Sequence, residues 1–223
     1  MEIKSLLDSI THNGTKILLY GVSGSGKTSL LRGSGKTLMI SLENGELSLQ
    51  GATNIDVLSP KSMAEFRQAY ILARDNVDNY DTIAIDSLTE LGELIVADLK
   101  KDPEYSSMAN GMKLWLKYSE DMLAIAKAFR DLKGVNIILI ALAETKKENF
   151  EDKLYPQIPA QKVQSKLPAL FDEVLYLNVT ASGDRQLICN PSSAITAKDR
   201  SSRLEAVEEA NLEVIFNKIK GSK

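Results

Sequence analysis

Apolar residues along this chain gather in short runs, separated by polar stretches rich in glycine and proline. Runs at 16–20, 37–42, 54–58, 82–86, 135–143, 173–179 and 185–190 have the length and aliphatic content of strands. The first five are mostly apolar at both odd and even positions, as expected of parallel strands covered on both faces. Between them the period lengthens, and 61–76, 87–101, 112–132 and 204–219 read as helices. Ser59-Pro60 precedes the first of these, and Ser62 is a good N-cap. In 112–132, Leu114, Tyr118, Met122, Ile125 and Phe129 recur at three- and four-residue steps and make one apolar face. Trp115 and Tyr118 are expected in the core or at an interface. Ala181-Ser182-Gly183-Asp184, between the last two strands, reads as a hairpin turn. The pattern predicts an α/β fold: a mostly parallel sheet flanked by helices, with a C-terminal antiparallel hairpin. No repeat, low-complexity tract or linker divides the chain, so residues 1–223 are expected to form a single domain. Two segments read as irregular. Residues 102–111 carry the turn signals Asp102-Pro103 and Asn110-Gly111. Residues 144–168 are polar, contain Pro156, Pro159 and Pro168, and read as a long loop.

Composition narrows the chemistry. The chain is 43% hydrophobic and 26% charged, enough to bury a sizeable core. A net charge of −3 removes a globally basic nucleic-acid footprint but allows a local patch. Cys189 is the only cysteine, which rules out an internal disulfide and a thiolate metal site, and it is expected buried in a strand. His12 is the only histidine, which argues against zinc chemistry and against a Ser-His-Asp triad. The longest apolar run, Val135 to Ala143, is too short to span a bilayer. Met1-Glu2-Ile3-Lys4 lacks a signal-peptide pattern, so the cytoplasm is the expected compartment and no membrane partner is expected.

One stretch carries most of the functional information. Gly21-Val22-Ser23-Gly24-Ser25-Gly26-Lys27-Thr28 fits G-x-x-x-x-G-K-[ST] in full. The strand Ile17-Leu18-Leu19-Tyr20 precedes it and helix-forming Ser29-Leu30-Leu31-Arg32 follows, which is the context a P-loop requires. Backbone N–H groups at residues 21–29, Ser29 included, are expected to surround a polyphosphate, because glycines leave room for that approach. Lys27 is expected to reach the β- and γ-phosphates of ATP, and the Thr28 hydroxyl to ligate Mg²⁺. A second GSGKT, Gly33 to Thr37, follows a helix and precedes a strand. That order is wrong for a phosphate loop, so its glycines are read as stops to a very short first helix.

Two acids complete the expected site. Thr82-Ile83-Ala84-Ile85-Asp86 is an apolar strand ending in Asp, the Walker B form, and places Asp86 beside Thr28 on the metal. Asp86 also reads as an N-cap for the next helix. Ser87 follows it, where many P-loop ATPases carry Glu. Glu43, at the end of the strand Leu38–Leu42, is then the candidate to orient water, on the expectation that this strand neighbours the P-loop strand. Glu43-Asn44-Gly45 equally reads as a surface turn.

These elements together resemble the ATPase core of RecA-like recombinases, where a strand-end Glu is catalytic and Ser commonly follows the Walker B Asp. Ala197-Lys198-Asp199-Arg200 is similar to the Lys-x-Lys/Arg pair that such proteins insert into the neighbouring subunit's ATP site. The resemblance implies that Lys198 and Arg200 stabilise charge on the γ-phosphate in trans, although Arg200 also reads as a brace for the final helix. It implies a homo-oligomeric ring or filament with ATP sites between subunits. Over residues 14–219 the chain resembles compact phage-encoded RecA-like ATPases associated with single-strand annealing. Lys162 to Pro168 running into Phe171-Asp172-Glu173-Val174 and the short gap from P-loop to Glu43 carry that likeness. It implies single-stranded DNA as a partner and a phage-infected bacterial cell as the setting. Residues 144–168 would then face DNA through Lys146, Lys147, Lys153, Lys162 and Lys166, with Phe150 and Tyr155 available to stack. Glu144, Glu148, Glu151 and Asp152 nearly cancel that charge, so a solvated mixed-charge loop is the competing account. Glu144 or Thr145 occupies the place of the usual polar sensor. Two other functions fit a P-loop: a nucleotide-switched regulator of a protein partner, and a small-molecule kinase, which an arginine-rich lid would have supported.

Overall fold

The computed structural model describes residues 13–106, 111–148 and 150–221. Met1 to Lys4, His12 and Asn110 lie outside the described residues. The strands are β1 (Lys16–Gly21), β2 (Thr37–Ser41), β3 (Ile55–Leu58), β4 (Thr82–Asp86), β5 (Asn136–Glu148), β6 (Glu151–Pro156), β7 (Glu173–Val179), β8 (Arg185–Ile188), β9 (Lys198–Asp199) and β10 (Val207–Glu209). The α-helices are α1 (Met63–Asp75), α2 (Leu88–Leu99), α3 (Pro103–Ser106), α4 (Gly111–Arg130), α5 (Gln161–Lys166) and α6 (Leu212–Lys220). Among the described residues the sheet runs β10-β8-β7-β1-β5-β4-β2-β3, with β6 hydrogen-bonded to β5 and β9 to β7. From β7 to β3 every pairing on that path is parallel. The antiparallel strands β8 and β10 close the C-terminal edge. This is the α/β P-loop core, with its antiparallel hairpin, that the sequence implies.

Both parities of the central strands are apolar because both faces are covered. Leu18 and Tyr20 of β1, Ile83 and Ile85 of β4, and Ile137 and Leu139 of β5 pack beneath α1, α2 and α4. Ile17, Leu19, Ala84, Ile138 and Ile140 point the other way, against Leu30, Leu31 and the α6 residues Leu212, Ile215 and Phe216. The long helices α1, α2 and α4 bury stripes at helical spacing, as with Met63, Phe66, Ala69 and Ala73 of α1. The Ser62 side chain caps α1 by accepting from Glu65 N, as its sequence position predicts.

Several boundaries differ from the sequence pattern. The stretch after the P-loop is a six-residue 3₁₀ turn, Thr28–Gly33, rather than an α-helix. The final helix starts at Leu212, not 204, because Asn211 caps it and Val207–Glu209 pairs with β8 instead. Glu208 is buried in that strand and takes the Lys218 ammonium at 2.7 Å, a pairing invisible to periodicity. Residues 103–106 form the short helix α3 within the stretch read as irregular. The largest departure is 144–168. Instead of a loop, β5 continues to Glu148 and returns as β6 in a two-stranded ribbon, with Lys146 opposite Lys153 and Lys147 opposite Asp152. Helix α5 and a 3₁₀ turn at Leu167–Leu170 follow. The outer part of the ribbon, Thr145 to Asp152, is exposed wherever its burial is described, so alternation of apolar and polar residues has nothing to report there.

Candidate active site

The phosphate loop leaves β1 at Gly21 and bends through Gly24 and Gly26, whose φ angles are +74° and +99°. A side chain at Gly26 would be strained by that backbone and would also meet Arg185, with Nε 2.7 Å from its Cβ. Ser25 N donates to Val22 O, closing the loop. Lys27 is 7% exposed and its Nζ donates to the carbonyls of Gly21 and Val22 at 3.0 and 2.9 Å. Burial lowers its pKa, with the negative charges of Glu43 and Asp86 opposing that shift. Val22, Ser23 and Gly24 are exposed at the loop's outer surface, whereas Gly21 and Ser25 are buried. Thr28 and Ser29 open the 3₁₀ turn and are half-buried. The second GSGKT leads into β2, where Lys36 N donates to Asp81 and the Lys36 ammonium lies over the Tyr80 ring.

Thr28 and Asp86 meet directly: the Thr28 hydroxyl donates to Asp86 Oδ2 at 2.5 Å. Asp86 is 2% exposed, and its other oxygen, Oδ1, has no hydrogen-bond partner. Burial pushes its carboxyl up to about 6, the Thr28 hydroxyl opposes this, and the charge of Glu43 adds to it. A buried carboxylate oxygen without a donor, beside a threonine hydroxyl, is the donor set a hard divalent cation takes. Lys27 and the glycine-lined loop fit a polyphosphate on the same grounds. Thr28 and Asp86 would hold Mg²⁺, which would supply charge neutralisation at the β- and γ-phosphates. The N-cap of α2 is Ser87, whose side chain accepts from Glu90 N, so Asp86 does not cap the helix. That leaves its carboxylate to the site.

Glu43 reaches this cluster by a different route from the one expected. β2 does not neighbour the P-loop strand; β1 lies between β5 and β7, and both β4 and β5 separate it from β2. The strand ends are nevertheless drawn together, since Leu42 N donates to Asp86 O at 2.7 Å. Glu43 Oε1 accepts a hydrogen bond from the Ser87 hydroxyl. Glu43 is exposed at the mouth, on the Asp86 side of the phosphate loop.

The remaining candidates lie elsewhere. Lys198 sits in β9 opposite Val174, three residues before the level at which β7 meets Gly21. Its Nζ donates to Pro168 O and Phe171 O, and Arg200 pairs with Asp172 at 2.8 Å and with Ala169 O. Three strand residues correspond to ~10 Å, and both cations bond residues that precede β7 rather than this chain's own phosphate loop. Arg200 braces the 3₁₀ turn before β7, not the final helix. Of the ribbon lysines, Lys146 bonds Glu144 and Gln164, and Lys153 bonds Glu148. Lys147, Lys162 and Lys166 have no ion pair among the described residues. Phe150 is fully exposed at the ribbon tip.

Sequence reasoning missed two residues that the fold brings in, Arg185 and Gln164. Arg185 donates to Ser25 O from the opposite flank of the loop. The hydroxyl of Ser25, a residue of the expected loop, is buried with no partner and lies close to Gly21. Gln164, buried on α5, donates to Glu144 and accepts from Lys146, fixing the expected sensor position Glu144 in place. Each contact joins residues distant in sequence, and no local motif announces it.

A parallel sheet with a phosphate loop at one strand end and an acid at another defines a P-loop ATPase. The chain belongs to an AAA domain family (AAA_24), which it matches over residues 13–201. Among solved structures it is similar to the KaiC-like protein PH0186 from the hyperthermophilic archaeon Pyrococcus horikoshii OT3. That likeness is 17% identical, covers 79% of this chain and 78% of the other, and has a TM-score of 0.43. No curated protein matches the sequence. No helix among the described residues is long and apolar enough to cross a membrane.

Proposed function

We propose that this protein binds Mg-ATP between Lys27, Thr28 and Asp86, hydrolyses it with Glu43 orienting water, and couples that cycle to single-stranded DNA as a homo-oligomer. One observation carries the hydrolytic part: three chain segments converge on one mouth, with Thr28 on Asp86, Glu43 on Ser87 beside it, and Lys27 close enough to feel the charge of both acids. Lys27 and the loop amides bind and orient the phosphates. Glu43, held by Ser87, is placed to accept a proton from the attacking water. Lys198 and Arg200 bond residues that precede β7 rather than this site, which suits a role across a subunit interface, where cations stabilise charge on the γ-phosphate.

The DNA assignment rests on the RecA-like resemblance and on the ribbon. The ribbon extends the very strand, β5, that lies between the P-loop strand and the Asp86 strand. Its tip offers Phe150 for stacking, and Lys147, Lys162 and Lys166 are available to phosphates. The setting read from the sequence, phage recombination or annealing, belongs to the same proposal. The test is ATPase rate and single-strand anisotropy across a salt series, with and without nucleotide, using Lys27→Ala as the blank. DNA-stimulated turnover with salt-dependent binding supports the proposal. ATP-driven assembly indifferent to DNA would instead assign a regulatory switch acting on protein, and phosphate transfer to a metabolite would assign a kinase.

A further inference from the structure

A phosphate loop ordinarily gains part of its positive potential from the α-helix that follows it. Here Lys27 leads into a six-residue 3₁₀ turn, too short to sum many peptide dipoles. More of the complement to a triphosphate must therefore come from side chains. Lys27 is one cation at the loop. The other is Arg185, the first residue of β8.

Arg185 is fixed at one point and open at the rest. Its Nε donates to Ser25 O at 2.7 Å, and Gly26 leaves the space its guanidinium occupies. Nη1 and Nη2 make no hydrogen bond or ion pair among the described residues. Those two nitrogens form the edge of the fork that pairs with oxyanions. The sheet order sets the flank of the loop from which they approach. β7 and β8 lie on one side of β1, whereas Asp86 and Glu43 end strands on the other side. The γ-phosphate and metal belong to the Asp86 flank, so Arg185 flanks the opposite end of the phosphate chain.

We propose that Arg185 is a nucleotide ligand supplied in cis by the C-terminal hairpin, binding the α- and β-phosphates through its free guanidinium edge. This rests on residues 21–28 being the nucleotide cradle. Calorimetric titration of the full chain with ADP and with a non-hydrolysable ATP analogue tests it, for wild type, Arg185→Gln and Arg185→Lys. Losing a charge-assisted contact should weaken both nucleotides by about 10- to 100-fold in Arg185→Gln. The salt dependence of binding should fall with it. Arg185→Lys should keep most of the affinity, and the unfolding midpoints without nucleotide should agree among the three proteins. Wild-type affinity in Arg185→Gln overturns the proposal. So does a loss confined to the ATP analogue, which would put the side chain at the γ-phosphate. Equal losses in Arg185→Gln and Arg185→Lys also overturn it, because bracing of the loop rather than charge would then be the role. A wild-type protein that binds neither nucleotide would instead refute the cradle itself.

Discussion

Glu173 offers the sharpest quantitative test of the fold, because its environment sets both a sign and a size. It is the first residue of β7, has no solvent exposure, and lies opposite Asp199 of β9. Its Oε1 accepts from Ser201 N, but when ionised its Oε2 has no donor. Asp199 already accepts from Ser201 Oγ, Ser202 N and Leu204 N, so it is the member of the pair equipped to stay charged. Burial, followed by the neighbouring Asp199, pushes the Glu173 carboxyl from 4.5 up to about 8. Protonated, Oε2 can donate toward Asp199. A folded pKa above the unfolded one gives stability that is complete below pH 4.5 and lost as pH rises to 8. At roughly 1.4 kcal/mol per pKa unit, the full loss is about 4–5 kcal/mol and the loss at pH 7 about 3 kcal/mol.

Glu173→Gln keeps an acceptor for Ser201 N, supplies a permanent donor to Asp199, and removes the titration. Urea unfolding at pH 5, 6, 7, 8 and 9 should show the variant gaining on wild type with each step to pH 8. The gap should then level off. Parallel stability curves for the two proteins across that range would refute the assignment of the proton to Glu173. The same pair anchors β9, the strand that carries Lys198 and leads to Arg200.

Three further outcomes bear on the site. Glu43→Gln should bind ATP as wild type does while turnover falls by about 10²- to 10⁴-fold; unchanged turnover would remove Glu43 from the reaction. Asp86→Asn should lose at least about tenfold of the strengthening that Mg²⁺ gives to nucleotide binding, measured by titration with and without chelator, and an intact Mg²⁺ effect would place the metal elsewhere. Lys198→Ala should bind nucleotide normally yet hydrolyse poorly. Mixed with Glu43→Gln it should regain activity, because random assembly leaves about a quarter of head-to-tail interfaces with both groups intact; no recovery at any ratio would deny a shared site.

What the sequence revealed depended on the range of the interaction responsible. The P-loop is a local device: its glycine angles, lysine and threonine are all set within eight residues, so its pattern is readable directly. Ser62 likewise caps a helix three residues away. The ribbon at 144–156 was unreadable because strand pairing there is carried by backbone bonds between charged residues, with little burial beyond Thr145 to imprint a period of two. The start of α6 was misplaced because Val207–Glu209 answers to β8, a partner some twenty residues away. Glu43 lies beside Ser87 and Asp86 although β2 does not neighbour the P-loop strand as expected. The reason is that in an open parallel sheet the strand ends share one side of the molecule, whichever strands are adjacent.

The division of charge around the loop follows from that topology. Acids collect where β2 and β4 end: Glu43, Glu46 and Asp86 lie close enough for the first and second to raise the third. Cations come from the loop itself and from the antiparallel hairpin, Lys27 and Arg185. A metal-bound triphosphate is the ligand class that suits both halves at once, since it presents a cation to Asp86 and oxyanions to the loop and hairpin. A free anion would be repelled by the acids, and a lone cation would be repelled by Lys27. Affinity for nucleotide and affinity for Mg²⁺ should therefore be coupled here more strongly than either is on its own.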